Sequence, residues 1–370
     1  METRQELNED ETKIYRELQQ HLDELPIGFP ATQSGVELKL LFFLFTPEEA
    51  KIASKLKYTL QTLDEIYENT KDLGKAKEEL EKSLDVMVKK GSINFKKKDG
   101  KKYYGNEIYV LGMHEHRVNK ITKDYVDAFK QYINEGFAKE MLSTNISQFR
   151  IVPVEQSVTP EHHIPTYDEL TKIIEDLEGP ISVQTCICRK GMVLLGTPCK
   201  KTSLLENCIS LGHLAQLYID NEWGREINKE EALDILRKNQ EDGLVFEVGN
   251  AISPHFICSC CGCCCDVLNN LKYMPNTAEL LPSNHFAEVD LELCTGCGTC
   301  AERCQVRAIK IRKEKSKINL RKCIGCGNCV VSCPEEAIHL VRKDEEMKPP
   351  STPEKLYTEI LVKKQDLKSQ

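Results

Sequence analysis

Cysteine is missing from the first 185 of the 370 residues, and no apolar run exceeds the segment from Leu40 to Phe45. A membrane-spanning helix needs about 20 apolar residues, so the sequence predicts no membrane span. Residues 1–6 are polar and acidic and offer no apolar segment. This excludes a secretory signal and favours a cytoplasmic location.

Positive charge is not in excess either, because 50 Lys and Arg stand against 58 Asp and Glu, for a net charge of -8. A chain built wholly to coat nucleic acid needs a large basic excess, so that class is excluded. The sequence also has no Gly-x-Gly-x-x-Gly, the pattern typical of flavin and nicotinamide sites. The length predicts two or three domains, and 40% hydrophobic residues are enough to build their cores.

What the sequence does have is 18 cysteines, all between Cys186 and Cys333. They fall into three groups: Cys186 to Cys208, Cys258 to Cys265, and Cys294 to Cys333. Without an export signal these thiols are expected to stay reduced, which leaves them free to bind metal.

The last group is an internal repeat. Cys294-x2-Cys297-x2-Cys300-x3-Cys304 returns 29 residues later as Cys323-x2-Cys326-x2-Cys329-x3-Cys333-Pro334. Three cysteines at this spacing can wrap an iron–sulfur cube in one tight loop, and neighbouring glycines let the backbone turn around the sulfurs. We expect the fourth cysteine of each run to begin a helix and to point away from its own loop.

Residues 286–342 therefore resemble a bacterial-type two-cluster ferredoxin domain. The resemblance implies two [4Fe-4S] clusters with exchanged fourth ligands. One would be bound by Cys294, Cys297, Cys300 and Cys333, and the other by Cys323, Cys326, Cys329 and Cys304. This sequence departs from the family at Gln305, where proline usually follows the fourth cysteine, whereas Pro334 keeps the pattern.

The ten middle cysteines follow neither a zinc-ribbon nor a thioredoxin-like spacing. They are Cys186, Cys188, Cys199, Cys208, Cys258, Cys260, Cys261, Cys263, Cys264 and Cys265. The favoured interpretation is a third iron–sulfur cluster, or an unusual cluster shared between the two groups. Zinc, a redox-active dithiol and simple packing are the alternatives. The first group alone could supply four ligands, and adjacent cysteines must diverge in direction.

Three further sites carry weaker signals. Arg189 follows Cys188 and is interpreted either as a contact to an anionic substrate or partner, or as half of a salt bridge. The pairs His162-His163 and His114-x-His116 offer metal ligands, although surface histidines on loops are the simpler interpretation.

The region 36–112 resembles a winged helix-turn-helix domain in the order of its predicted elements. Thr46-Pro47 predicts a capped helix start, and Asp99-Gly100 predicts a hairpin whose return strand runs from Tyr103 to Leu111. Seven lysines between Lys89 and Lys102 make the hairpin basic, as DNA binding requires. The expected recognition helix, however, mixes lysines with acids and has no Arg, Asn or Gln, which favours protein contact or dimerisation.

The predicted fold class is multidomain α+β. It comprises a helical segment (1–35), a winged-helix-like domain (36–118), a helical connector (119–180), a cysteine-rich mixed α/β middle domain (181–285), a two-cluster ferredoxin domain (286–342) and a loose C-terminal tail with one short helix (343–370).

The arrangement resembles multidomain 4Fe-4S ferredoxin-type proteins of anaerobic bacteria and archaea. We expect an electron carrier, or the electron-transfer subunit of an anaerobic redox complex, with a redox protein as partner. A redox- or iron-sensing DNA-binding regulator is one alternative, and an oxidoreductase with its active site in the middle domain is another.

Overall fold

The computed structural model describes residues 7–158 and 166–369. Its contacts divide the chain into two units, Met1–Thr144 with Thr358–Gln370, and Asn145–Tyr357. His162 and His163 lie outside the described residues. Within the described ranges, no helix has the length and apolar character needed to cross a membrane.

The first unit is mainly helical with one small sheet. Its elements in chain order are α1 (Glu9–Leu22), α2 (Val36–Leu44), α3 (Pro47–Ala53), β1 (Gln61–Thr62), α4 (Leu63–Asn69), α5 (Lys77–Lys90), β2 (Ile93–Lys98), β3 (Lys101–Asn106), α6 (His114–His116), α7 (Lys123–Tyr132) and α8 (Ala138–Met141). The sheet has the order β1-β3-β2, and both pairings are antiparallel.

Local sequence signals account for several of these boundaries. Thr46 caps α3 in a reciprocal hydrogen-bonded pair with Glu49, as predicted. The hairpin turn at Asp99-Gly100 is also confirmed, with φ of 50° and 76° at the two residues. The return strand ends earlier than predicted, because the Asn106 side chain donates to the carbonyls of Ala53 and Leu56 and the backbone then leaves the sheet.

His114 and His116 are buried, so their interpretation as surface loop residues is wrong. The His114 ring stacks on Phe129 with centroids 3.7 Å apart, and its Nδ1 lies 3.0 Å from the Tyr125 hydroxyl. Burial lowers the pKa of His116 to about 3. Phe129 and Tyr125 lie on the next α-helix, α7. They contact His114 through the packing of α6 against α7, which the spacing of the histidines does not reveal.

The C-terminal segment is more ordered than the predicted loose tail. It forms α16 (Pro353–Lys368), a helix of 16 residues that continues from the second unit into the first. In the first unit, the Lys364 ammonium is buried, pairs with Glu140 at 2.7 Å and donates to the carbonyls of Asp23 and Leu25. These three acceptors satisfy the buried ammonium, which would be costly to remove from water without them.

The second unit is built on a six-stranded sheet with cysteine-bearing loops at its side. Its elements before α16 are β4 (Phe149–Val152), α9 (Leu170–Glu175), β5 (Ile181–Thr185), α10 (Ile187–Leu194), β6 (Glu206–Leu211), α11 (His213–Asp220), β7 (Arg225–Ile227), α12 (Lys229–Glu241), β8 (Val245–Gly249), β9 (Phe256–Cys260), α13 (Asp266–Leu271), α14 (Thr277–Leu280), β10 (His285–Val289), α15 (Thr299–Arg303), β11 (Ile309–Arg312), β12 (Lys315–Ile318) and β13 (Ile338–Arg342).

The large sheet has the order β4-β8-β9-β6-β5-β7 with antiparallel neighbours throughout. Alternation along the strands gives it two different faces. One face is apolar, carries Val183, Ile209 and Ile257, and packs against residues of α9 and α12. The opposite face therefore receives the alternate positions, among them Cys208 and Cys258, which are direct partners across β6 and β9.

Two short antiparallel pairs, β10-β13 and β11-β12, complete the second unit. Strands β11 and β13 begin at Ile309 and Ile338, which are equivalent positions of the internal repeat because they lie 29 residues apart. The two halves of the repeat therefore fold alike at their ends.

Candidate metal centres

The first set of cysteines surrounds one cavity of about 270 Å³. The four are Cys294, Cys297, Cys300 and Cys333. The loop between the first three turns at Gly296 and Gly298, whose φ angles are 72° and 90°. A Cβ on Gly296 would lie 2.1 Å from the Glu314 carbonyl oxygen, so only glycine allows the backbone to pass this closely.

The second set surrounds a cavity of about 330 Å³. Its four cysteines are Cys304, Cys323, Cys326 and Cys329. Here the tight positions are Gly325 and Gly327, with φ of 63° and 78°. A Cβ on Gly325 would lie 2.1 Å from the His285 carbonyl oxygen. Both cavities thus combine three cysteines of one run with the fourth of the other.

The fourth cysteines do not begin helices, which corrects the prediction. Cys304 is the residue that ends α15, because the helix already begins at Thr299, after the left-handed Gly298. Cys333 lies between two turns. Each still accepts a backbone hydrogen bond from the alanine four residues later, from Ala308 N at 3.2 Å and from Ala337 N at 3.3 Å. The fourth cysteine of each run therefore reaches the other set from the end of a short helix or from a turn region.

Hydrogen-bond donors point at other sulfurs of both sets. Ser316 N donates to Cys294 Sγ at 3.4 Å, and the Ser316 hydroxyl lies 3.1 Å from Cys300 Sγ. Ala287 N donates to Cys323 Sγ at 3.4 Å. Such donors stabilise thiolates and tune iron–sulfur sites. Four thiols around one cavity, together with N–H donors, fit an iron–sulfur cluster at each site.

The two sets differ in their access to solvent. Cys297 of the first set is exposed, and hydrogen bonds from Thr299 lower the pKa of its thiol. Cys294 and Cys300 of the first set are buried, as are Cys323 and Cys329 of the second, so Cys297 alone makes the difference. Burial raises the pKa of the Cys326 thiol to about 12, since a thiolate without metal is costly there. The first set therefore forms the solvent-facing end of the pair.

Residues 287–348 match the family model of the 4Fe-4S dicluster domain. The C-terminal part of the second unit is thus a ferredoxin-type domain, and such a domain implies iron–sulfur clusters. A segment of 52 residues, 14% of this chain, is 40% identical to the pyruvate synthase subunit PorD of Methanothermobacter marburgensis. The chain spans 59% of the length of that relative. No solved structure gives a significant match.

Outside the dicluster domain, four of the middle cysteines form a tight group. The sulfur of Cys199 lies 3.6 Å from that of Cys261 and 3.8 Å from that of Cys263. Cys263 Sγ in turn lies 3.4 Å from Cys261 Sγ and 3.6 Å from Cys264 Sγ. All four sulfurs lie within 4.8 Å of one another. We call these four residues the four-thiol group.

The other six middle cysteines form a closed ring in which the pKa of each thiol is shifted by two others of the set. In ring order they are Cys186, Cys188, Cys265, Cys260, Cys258 and Cys208. We call this set the six-thiol ring. The buried carboxylate of Glu247 lies within 4.8 Å of the sulfurs of Cys260 and Cys265. Burial, and then the nearby Cys265 thiolate, raise the pKa of Glu247 well above its ordinary value.

The two cysteine groups seen in the sequence are therefore mixed in the fold. Cys186 to Cys208 do not supply one site, because Cys199 leaves its three neighbours and joins the four-thiol group. Adjacent cysteines diverge as predicted at two places, since Cys260 and Cys265 lie in the six-thiol ring and their neighbours Cys261 and Cys264 in the four-thiol group. The prediction fails for Cys263 and Cys264, which both belong to the four-thiol group. The antiparallel pairing of β6 with β9, which sets Cys208 opposite Cys258, brings the distant segments together.

Arg189 is buried among these thiols and is only 1% exposed, which leaves it no surface on which to meet an anionic substrate or partner. Its Nη2 donates to the Ser259 carbonyl at 2.7 Å. Burial alone would lower the pKa of Arg189, but attraction to the thiolates of Cys186 and Cys261 raises it above the ordinary value. A fixed positive charge thus lies near one member of each thiol set, where anionic metal–thiolate sites need compensation.

Gln305, the departure from the ferredoxin pattern, connects the dicluster domain to the four-thiol group. Its buried side chain accepts a hydrogen bond from Gly262 N at 3.0 Å and donates to the Gly243 carbonyl at 2.9 Å. A Cβ on Gly262 would lie 2.4 Å from the Gln305 carbonyl oxygen. Proline could form neither of these side-chain hydrogen bonds, which explains why glutamine stands at position 305.

Sequence reasoning missed Glu247 as a neighbour of the six-thiol ring. The sequence does indicate it, because Glu247 is the one acidic residue in the otherwise apolar segment Val245-Phe246-Glu247-Val248. A carboxylate in such a strand needs a polar or metal-binding partner, since burial without one is costly.

Proposed function

We propose that the protein is an iron–sulfur electron-transfer protein, as carrier or as electron-transfer subunit of an anaerobic redox complex. The observation that carries the proposal is the pairing of four cysteines around each of two cavities, with the fourth cysteine exchanged between runs. In this proposal each cavity holds one [4Fe-4S] cluster. The first set would bind one cluster and the second set the other.

The exchange of ligands supports transfer between the two sites. Cys300 and Cys304 bracket most of α15 and belong to different sets, and four residues of helix rise only about 6 Å. An electron held at one site therefore needs to cross little more than a helical turn of protein to reach the other. Clusters bound in this way take up and release single electrons without any change in the protein's covalent structure.

The exposed first set is the proposed point of exchange with a partner. Leu291 and Leu293 flank this end and are 56% and 53% exposed, which offers apolar contact area beside Cys294. The resemblance to a pyruvate synthase subunit favours a redox enzyme as that partner. The second set, buried on its own side, would store or relay the electron.

A stopped-flow assay with cytochrome c as artificial acceptor tests this order. Anaerobically reduced protein is expected to deliver electrons to cytochrome c, and Cys297→Ser is expected to slow the delivery at least tenfold by removing the exposed site. Cys326→Ser serves as the matched control, because it removes the buried site and is expected to lower the number of electrons more than the initial rate. Equal initial rates for wild type and Cys297→Ser contradict the proposed exchange point.

A further cluster in the six-thiol ring is part of the proposal. Six convergent thiols exceed what one tetrahedral ion needs, and the nearby guanidinium of Arg189 compensates negative charge. A polynuclear iron–sulfur cluster suits such a ring and would extend the electron path beyond the dicluster domain. If so, Cys258→Ser lowers the iron content of the protein while the dicluster domain keeps its own.

The N-terminal unit is proposed to be winged-helix-like and to contact protein. Its support is the order α3-β1-α4-α5-β2-β3 with β1 paired to β3. Part of the positive charge is already compensated, since Lys77 of α5 pairs with Asp64, and Lys102 of the hairpin pairs with Glu81 and Asp85. We therefore expect no salt-sensitive gel shift with duplex DNA; a shift that changes on reduction would favour the regulator instead.

A further inference from the structure

The sulfur spacing divides the ten middle cysteines into two kinds of site, and we infer that the four-thiol group of Cys199, Cys261, Cys263 and Cys264 binds one zinc ion. A tetrahedral zinc ion with Zn–S bonds of about 2.3 Å holds its sulfurs about 3.8 Å apart. Four of the sulfur–sulfur separations in this group are 3.6, 3.8, 3.4 and 3.6 Å. Zinc is one of the metals that the sequence allows for these cysteines, and the distances assign it to these four.

The same distances distinguish this group from a cluster site. In a polynuclear cluster each thiolate binds a different metal atom, so the sulfurs stand farther apart than around a single ion. Among the described residues, the only set of four metal-ligating side chains that converge within 4.8 Å is this one. Neither the six-thiol ring nor the dicluster cysteines bring even three of their own sulfurs that close. One group therefore fits a single ion, and the others do not.

The immediate surroundings suit a closed, permanently bound ion. Cys261 and Cys264 are each 1% exposed, and Leu244 packs against them, with Met192 at the edge of the same cluster. Lys201 N donates to Cys199 Sγ at 3.4 Å. Four thiolates around Zn²⁺ leave a net charge of two minus, which Arg189 partly offsets through its attraction to Cys261. All four positions are filled by protein, which is the arrangement of structural zinc.

The site would crosslink two segments that are far apart in sequence. Three ligands come from the five residues 261–265, and the fourth, Cys199, lies in the loop between α10 and β6. The same five-residue loop contains Gly262, which Gln305 of the dicluster domain contacts. Zinc here would hold in place the surface on which the dicluster domain packs. Zn²⁺ has no redox chemistry, so this ion would not carry electrons. The inference therefore goes beyond the proposed electron transfer and does not rest on it.

The test is metal analysis and zinc-edge X-ray absorption on the full-length protein purified without oxygen and without added zinc. We expect about one zinc per chain, with four sulfur neighbours at about 2.3 Å. Cys199→Ser is expected to lower the zinc content at least tenfold. Cys258→Ser is the matched control, because it lies in the neighbouring six-thiol ring and is expected to leave zinc unchanged.

Several outcomes overturn the inference. They are wild-type protein without zinc, zinc with oxygen or nitrogen neighbours, iron in its place, or equal zinc loss in both variants. If Cys199→Ser does not fold, the absorption spectrum of the wild type still decides, since it reports the ligands of the bound ion directly. Iron in the dicluster domain is counted in the same samples, so failure of the zinc site and failure of the proposed electron-transfer function remain distinguishable.

Discussion

Cys333→Ser is expected to remove the cluster of the first set and to leave the second set intact, although Cys333 follows Cys329 of the second set by four residues. The reason is the exchange of fourth ligands, which places Cys333 in the cavity with Cys294, Cys297 and Cys300. Loss of one of the four protein ligands usually costs the cluster itself. About four irons per chain should disappear, which metal analysis and the visible spectrum can measure.

Cys304→Ser is the reciprocal control. It is expected to resemble Cys323→Ser in its remaining EPR signal, whereas Cys333→Ser should resemble Cys294→Ser. If the spectra instead pair variants of the same cysteine run, so that Cys333→Ser resembles Cys323→Ser, the exchange of fourth ligands is contradicted. The comparison needs no knowledge of the partner, because it depends only on which two single variants share a spectrum.

Gly296→Ala is expected to destabilise the first site much more than Gly298→Ala, although the two glycines lie in the same loop. Both have positive φ, which costs about 1–2 kcal/mol for alanine. Only at Gly296 does the new Cβ meet backbone, at 2.1 Å from the Glu314 carbonyl oxygen, whereas nothing lies within 4 Å at Gly298. The overlap adds about 1–3 kcal/mol.

Thermal loss of the visible absorption under anaerobic conditions measures this difference. For a unit of this size, each kcal/mol shifts the midpoint by roughly 2–4 °C. The midpoint of Gly296→Ala should therefore fall several degrees below that of Gly298→Ala. Equal midpoints for the two variants mean that the turn at Glu314 yields freely, and that the close approach does not hold the loop.

Local patterns were enough to predict much of the fold. The two cysteine runs predict both cavities because each run is short, regular and followed by a strand at Ile309 or Ile338. Capping residues such as Thr46 and Asn228 mark helix starts because their hydrogen bonds reach only three residues ahead. These signals depend on neighbours in sequence, so the sequence alone contains them.

The division of the middle cysteines depends on contacts that sequence spacing does not contain. Cys199 reaches Cys261 across 62 residues, and the choice between the four-thiol group and the six-thiol ring is made by the pairing of β6 with β9. The burial of His114 and of Lys364 has the same origin, since each depends on partners from another element. Gln305 shows that a departure from a known pattern can mark such a long-range contact.

Reductive titration of the anaerobically purified protein, followed by EPR, tests the central claim most directly. The account predicts a brown protein that takes up at least two electrons per chain, with bleaching of the visible absorption and spectra of reduced [4Fe-4S] clusters. A colourless protein without iron, or one that contains iron but accepts no electrons, would contradict it.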